Sequence, residues 1–192
     1  MNHQNDKALE ERELSSELIY DGSVVHLYVD RVSLPNGKPA IREYVKHIGA
    51  VAVLPLTDQK EVICVRQYRY AHRCILTEIP AGKLDSKTED HVEAALRELR
   101  EETGAVCEKL THLGLFRSTP AILDEKIDLY LAEGLTFGET DPDEDEFLDV
   151  VRIPLCELLE QVMNGEITDA KTQVAVLKTC EILRRRGESI GK

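Results

Sequence analysis

A chain of 192 residues fits one domain with room for a small appendage, and it is long enough to bury a substantial core. With 42% hydrophobic and 31% charged residues the composition is that of a globular protein, and no apolar run approaches the roughly 18 residues of a membrane span. The formal net charge of −12 argues against a basic groove for nucleic acid; a small phosphate-bearing ligand would need metal ions or placed arginines to offset that charge locally.

In chain order, the polar start (residues 1–16) lacks the apolar stretch of a signal peptide, so the protein is read as cytoplasmic. Residues 1–13 read as a disordered lead. Residues 24–32 are rich in β-branched and aliphatic side chains, Leu34-Pro35-Asn36-Gly37 supplies a hairpin turn, and a further strand is expected over 40–47. The unit 14–47 is too small to stand alone, and it must pack on the rest of the chain or on a second subunit. Residues 49–56 and 62–70 read as another hairpin, turning at Asp58-Gln59-Lys60. Residues 78–82 end a short segment and open a polar loop. A helix is expected over 91–103, with Val92, Ala95, Leu96 and Leu99 on one apolar face and Gly104 as its stop. Strands near 110–116, 126–132 and 147–153 follow, then helices near 155–163 and 170–186, the last with Asp169 suited to cap it. The pattern is a mixed α/β (α+β) domain in which helices cover a sheet. The five cysteines (Cys64, Cys74, Cys107, Cys156, Cys180) form no close pair and read as reduced, mostly buried thiols.

The informative stretch is Arg97-Glu98-Leu99-Arg100-Glu101-Glu102-Thr103-Gly104. Glu98 and Glu102 are four residues apart and share a helix face, with Glu101 beside them. Like charges at that spacing cost a few tenths of a kcal/mol. Their place in the last turns, where the helix dipole is negative, adds to the cost. A solvated charged face explains neither placement. A divalent cation would relieve both, since hard ions are held by a few carboxylates together with substrate phosphates.

These residues resemble the Nudix signature, G-x5-E-x7-R-E-U-x-E-E-x-G-U, where U is a bulky aliphatic residue. Gly82, Glu89, Arg97, Glu98, Leu99, Glu101, Glu102 and Gly104 supply its residue types. One extra residue lies between Gly82 and Glu89, and Ala105 is small for the last position. The resemblance extends over residues 14–183, through Glu78-Ile79-Pro80-Ala81-Gly82, the Arg42-Glu43 pair, Arg66-Gln67-Tyr68-Arg69, and Pro120 at 16 residues beyond Gly104. Those segments are similar to the ADP-ribose pyrophosphatase subfamily. Ser118-Thr119-Pro120-Ala121 departs from it, standing where Ser-Pro-Gly is usual.

The resemblance implies a Nudix-type α/β/α sandwich with a mixed sheet over residues 48–192. It also implies a small N-terminal antiparallel β-sheet over 14–47 that pairs subunits into a homodimer. It implies Mg²⁺, with Mn²⁺ as the substitute ion, held by Glu98, Glu101, Glu102 and the backbone carbonyl of Ala81. Arg97 would hold the carboxylates in place, and Arg42, Arg69, Glu78 and Pro120 would contact the substrate. A general base is expected from the acidic run 141–147, with Glu146 or Glu144 favoured. The implied reaction is hydrolysis of ADP-ribose to AMP and ribose 5-phosphate. Two alternatives stand beside it: another nucleoside diphosphate sugar as substrate, and a ligand sensor without turnover. The partner expected in every case is a small nucleoside diphosphate sugar, not a nucleic acid or a membrane.

Overall fold

The turn chemistry read from the sequence shapes the first strands. Gly37 takes a φ of +80°, the Asn36 side chain accepts from the Lys38 amide at 3.0 Å, and the hairpin closes through Leu34 and Lys38. The computed structural model describes residues 6–141 and 147–191. Its strands are β1 (Arg12–Asp21), β2 (His26–Ser33), β3 (Pro39–Lys46), β4 (Ala50–Pro55), β5 (Glu61–Arg69), β6 (Cys74–Glu78), β7 (Ala81–Lys83), β8 (Ala105–Phe116), β9 (Ile127–Phe137) and β10 (Asp149–Pro154). Its α-helices are α1 (His91–Thr103), α2 (Leu155–Met163) and α3 (Ala170–Arg186).

The chain divides into two units, one holding the residues up to His47 with Thr119–Glu125, the other Ile48–Ser118 with the chain from Lys126 onward. In the first, β1, β2 and β3 form an antiparallel sheet in that order. Tyr28 lies opposite Tyr44 across it. The segment 119–125 joins this unit through a bridge from Leu123 to Val45 and an Asp124 carboxylate that accepts from the His47 amide at 2.6 Å.

The second unit is built on a four-stranded sheet, β7-β4-β9-β8. It is mixed: β4 runs parallel to β9, whereas β7 and β8 are antiparallel to their neighbours. Every residue of β4 is buried, as an apolar run covered on both faces requires. Val51 and Val53 pack with Ala94, Ala95 and Leu99 of α1. Ala50, Ala52 and Leu54 belong to the opposite core, with Leu155 and Leu158 of α2 and Ala175, Val176 and Leu183 of α3. Each large apolar side chain buried this way stabilises by about 1.5–3 kcal/mol, so both faces of the sheet are anchored. The three-stranded antiparallel sheet β10-β5-β6 completes the unit.

Four sequence expectations are corrected. The turn expected at Asp58-Gln59-Lys60 is present, with the Lys60 amide donating to Thr57 and the Thr57 amide to Glu61, but residues 49–70 do not form a paired hairpin: beyond an antiparallel bridge between Leu56 and Val62, β4 and β5 part into different sheets. A strand buried on both faces needs a partner at each edge, and β4 takes β7 and β9 instead. The polar stretch after residue 78 contains a short strand, β7, and β8 begins at Ala105 directly after α1 rather than near 110. Of the five thiols only Cys64 is buried; Cys74 is exposed and the other three are half-buried. No described helix is long and apolar enough to cross a membrane.

Candidate active site

Asp90 starts α1 by accepting from the amides of Val92 and Glu93, and Gly104 ends it in the left-handed conformation at φ 68°. Between these caps the helix is rotated away from the apolar face that periodicity suggested. Val92 and Leu96 are exposed, while the buried side chains are Ala94, Ala95, Glu98, Leu99, Glu102 and Thr103. The helix therefore spends part of its core-facing surface on two glutamates, 9% and 5% exposed.

Gly82 of β7 lies directly against the Glu98 carboxylate, in space that any Cβ would occupy. Ala81, its neighbour, pairs with Ala52 of β4, and the carbonyl of Pro80 accepts from the Val53 amide at 2.9 Å. The segment leading into the helix box is thus fixed to the central sheet.

Arg97 gathers the carboxylates around it. Its Nη1 donates to Glu98 at 2.7 Å and to Glu101 at 3.1 Å, and its Nη2 donates to Glu89 at 3.3 Å. Burial acts to lower the Arg97 pKa, but the charges and hydrogen bonds of Glu98, Glu101 and Asp85 outweigh it and raise the value. Glu89 also accepts from the Asp85 amide at 2.5 Å, closing the loop in which the extra residue falls. Residues 85–88 of that loop are exposed, so the insertion is taken up in solvent without displacing Glu89 from Arg97.

A second charged group stands where β5, β6 and α3 meet. Glu78 is 2% exposed and accepts two bonds from Arg69, Nε to Oε1 at 2.7 Å and Nη2 to Oε2 at 2.8 Å. Lys171 donates to the same Oε2 and to Asp169 at 3.0 Å. Burial pushes the Glu78 carboxyl up, but hydrogen bonds and charges from Arg69 and Lys171 overcome this and hold it at about 2. The Arg69 guanidinium is raised chiefly by its bond to Glu78, and the charge of Glu102 also reaches it. The two groups are therefore electrostatically coupled.

The structure brings together Ala81, Arg97, Glu98, Glu101 and Glu102, with Arg69 and Glu78 alongside, all in the second unit. Arg42 and Pro120 belong to the first, where Arg42 is paired with Glu11. Glu144 and Glu146 lie outside the described residues. Lys171 and Thr172 were not singled out by sequence reasoning. Their contacts with Glu78 and Ile79 span 93 residues, and the local signal was the Asp169 cap, which both also contact.

The donor set suits a hard divalent cation. Glu98, Glu101, Glu102 and the Ala81 carbonyl offer oxygen alone, and Gly82 keeps a side chain out of the space beside Glu98. Among the described residues no three acidic, histidine or cysteine side chains form a ready-made ion cage. Mg²⁺ is usually held by a few carboxylates completed by substrate phosphates and water.

Comparison with known proteins agrees with this geometry. The Nudix domain model matches residues 46–173, and the nucleoside diphosphate sugar hydrolase N-terminal domain matches residues 11–45. The chain is 46% identical to the ADP-ribose pyrophosphatase of Bacillus subtilis (strain 168), over 88% of this chain and 92% of that protein. It is 45% identical to the methanol dehydrogenase activator of Bacillus methanolicus, over the same shares of each. A crystal structure of an ADP compounds hydrolase shares the fold at a TM-score of 0.83 and 24% identity, over 94% of this chain and 98% of that one. With the acidic helix, its glycine-lined approach and the family match over residues 46–173, the chain belongs to the Nudix hydrolase family.

Proposed function

We propose that the protein hydrolyses the diphosphate of ADP-ribose to AMP and ribose 5-phosphate, with Mg²⁺ as its ion and Mn²⁺ as a substitute. The observation that carries this reading is the rotation of α1, which buries Glu98 and Glu102 at the end of a helix where carboxylates are least favoured. The similarity to the Bacillus subtilis ADP-ribose pyrophosphatase supports the choice of substrate.

In this reading Glu98, Glu102 and the Ala81 carbonyl hold the ion, Glu101 supports them, and Arg97 keeps the carboxylates in register. When bound, the cation supplies neutralisation of phosphoryl charge and a lowered pKa for water. Arg69, anchored by Glu78, faces a substrate phosphate. The family resemblance assigns substrate contacts to Arg42 and Pro120 as well. One carboxylate of the acidic run, Glu146 or Glu144, takes the proton of the attacking water as a P–O bond of the diphosphate breaks. Residues 48–192 form the hydrolase domain, residues 14–47 pair subunits into a homodimer, and residues 1–13 are a lead. The protein works in the cytoplasm.

The test is incubation of purified protein with ADP-ribose and Mg²⁺, beside an EDTA control, with products resolved by chromatography. AMP and ribose 5-phosphate formed only with metal are expected; intact ADP-ribose in both would sink the reading. Relative kcat/KM for ADP-ribose, ADP-glucose and GDP-mannose ranks the sugars. A second reading, activation of a dehydrogenase, is favoured by the Bacillus methanolicus relative. It predicts faster alcohol oxidation by a purified methanol dehydrogenase when the protein is added, and unchanged oxidation rules it out.

A further inference from the structure

We propose that Lys171 is a positioning residue for substrate binding, acting through Glu78 and Asp169 to keep the Arg69 guanidinium available to a phosphate. This rests on the reading of the protein as a nucleoside diphosphate sugar hydrolase.

Four charged side chains meet at this point: the carboxylates Glu78 and Asp169 and the cations Arg69 and Lys171. Their side chains differ sharply in exposure. Glu78 is 2%, Lys171 11% and Asp169 15% exposed, but Arg69 is 40% exposed. Arg69 is thus the member that offers a face to solvent, with Nε and Nη2 committed to Glu78. Lys171 is enclosed and commits its ammonium to both carboxylates.

The formal charges of the four cancel. Without Lys171 two carboxylates would remain against one guanidinium, and an approaching phosphate would meet a net negative group. Arg69 would also be drawn further onto Glu78, because a buried charge left short of a partner takes whatever compensation is near. The same turn of α3 ties the neighbouring backbone: the Asp169 carboxylate accepts from the Thr172 amide and hydroxyl at 2.9 and 2.5 Å, and Thr172 Oγ1 accepts from the Ile79 amide at 2.9 Å. Lys171 therefore completes a closed circuit from the helix cap to the end of β6. A phosphate contact of this kind is present in the ground state and the transition state alike, so its loss raises KM with little change in kcat.

The experiment is a double-mutant cycle on ADP-ribose hydrolysis by the full chain, with thermal unfolding recorded for each variant. Lys171→Met is expected to raise KM by about tenfold or more with kcat within about threefold, and Lys171→Arg to return KM to within about threefold of wild type. In an Arg69→Met background, Lys171→Met is expected to add little, since it acts through Arg69. If Lys171→Met does not fold, Lys171→Gln takes its place in the cycle. A wild-type KM in the Lys171 variant overturns the proposal. So do additive effects in the cycle, which would mean that Lys171 touches substrate itself, and so does a folded Lys171→Arg that fails to recover KM. If the wild type does not turn over ADP-ribose, the functional reading fails separately, and the cycle is read from the Kd of ADP by calorimetry. Non-additive weakening of ADP binding then upholds the role of Lys171; an unchanged Kd, or no ADP binding by the wild type, overturns it.

Discussion

Glu98 and Glu102 set a stability cost against a chemical gain. Taking a carboxylate out of water costs several kcal/mol, and Arg97 returns only part of this where it bonds Glu98. Glu102→Gln keeps the shape and removes the charge. It is expected to lower kcat by roughly 10²- to 10³-fold, the worth of several kcal/mol of transition-state stabilisation, while the metal-free protein unfolds at the same temperature or higher. Activity close to wild type, or a clear fall in unfolding temperature, would contradict this account. Gly82→Ala probes the same carboxylate from the other side. The added methyl would collide with the flexible end of Glu98 rather than with backbone, so the fold should survive as the carboxylate swings away. A displacement near 1 Å in a catalytic group costs about 10²-fold. The expected result is a folded, metal-responsive protein with a turnover reduced by about that factor, measured beside its unfolding curve.

At the scale of elements, α3 and β6 are joined by a buried ion pair network whose strength depends on pH. The Glu78 carboxyl sits at about 2, below its ordinary value of 4.5. A depressed folded-state pKa means stability that is complete above the unfolded value and is lost as pH falls through the folded one. The size is of order 3 kcal/mol, from about 1.4 kcal/mol per pKa unit. Urea unfolding should therefore show wild type well above Glu78→Gln at neutral pH, with the gap closing from about pH 5 towards pH 2. A gap that is constant across that range would remove Glu78 from the account.

The same elements show what the sequence could and could not reveal. The span of α1 was legible because Gly104 stops it and apolar residues recur at helical spacing. Its rotation was not, because periodicity counts apolar side chains and this helix buries two carboxylates in their place. Local spacing singled out the box carboxylates, the resemblance implied their pairing with Arg97, and the two contacts that realise it fall within one turn. The pairing of β4 with β9 and the bond from Lys171 to Glu78 depend on residues far apart in the chain, and no local pattern encodes them. The hairpin expected over 49–70 failed for that reason: a short polar turn between two apolar strands looks the same whether they pair or part into different sheets.

For the whole molecule, the N-terminal unit poses a problem of burial. Among its described residues only Asp30 and Val32 are buried. Leu14, Leu18, Ile19, Tyr20, Val24, Val25 and Ile41 are all exposed on or beside its three strands. One buried apolar side chain contributes about 1.5–3 kcal/mol, while ordering each residue costs about 1–2 kcal/mol of backbone entropy. We propose that the apolar surface of the sheet gains cover symmetrically from a second copy of the chain. Such a dimer would join two chains of net charge −12, so salt that screens their repulsion should strengthen it rather than weaken it. Sedimentation at micromolar concentration is expected to show a dimer whose Kd tightens between about 0.01 and 0.15 M salt, as the screening length falls from about 30 to 8 Å. Leu18→Asp, which places a charge on the exposed sheet, is expected to raise that Kd by about tenfold or more, a cost above ~1.4 kcal/mol for setting a carboxylate in an apolar contact. A single monomeric species at every concentration and salt would show that the sheet is covered in some other way, and Leu18→Asp would then leave the sedimentation unchanged.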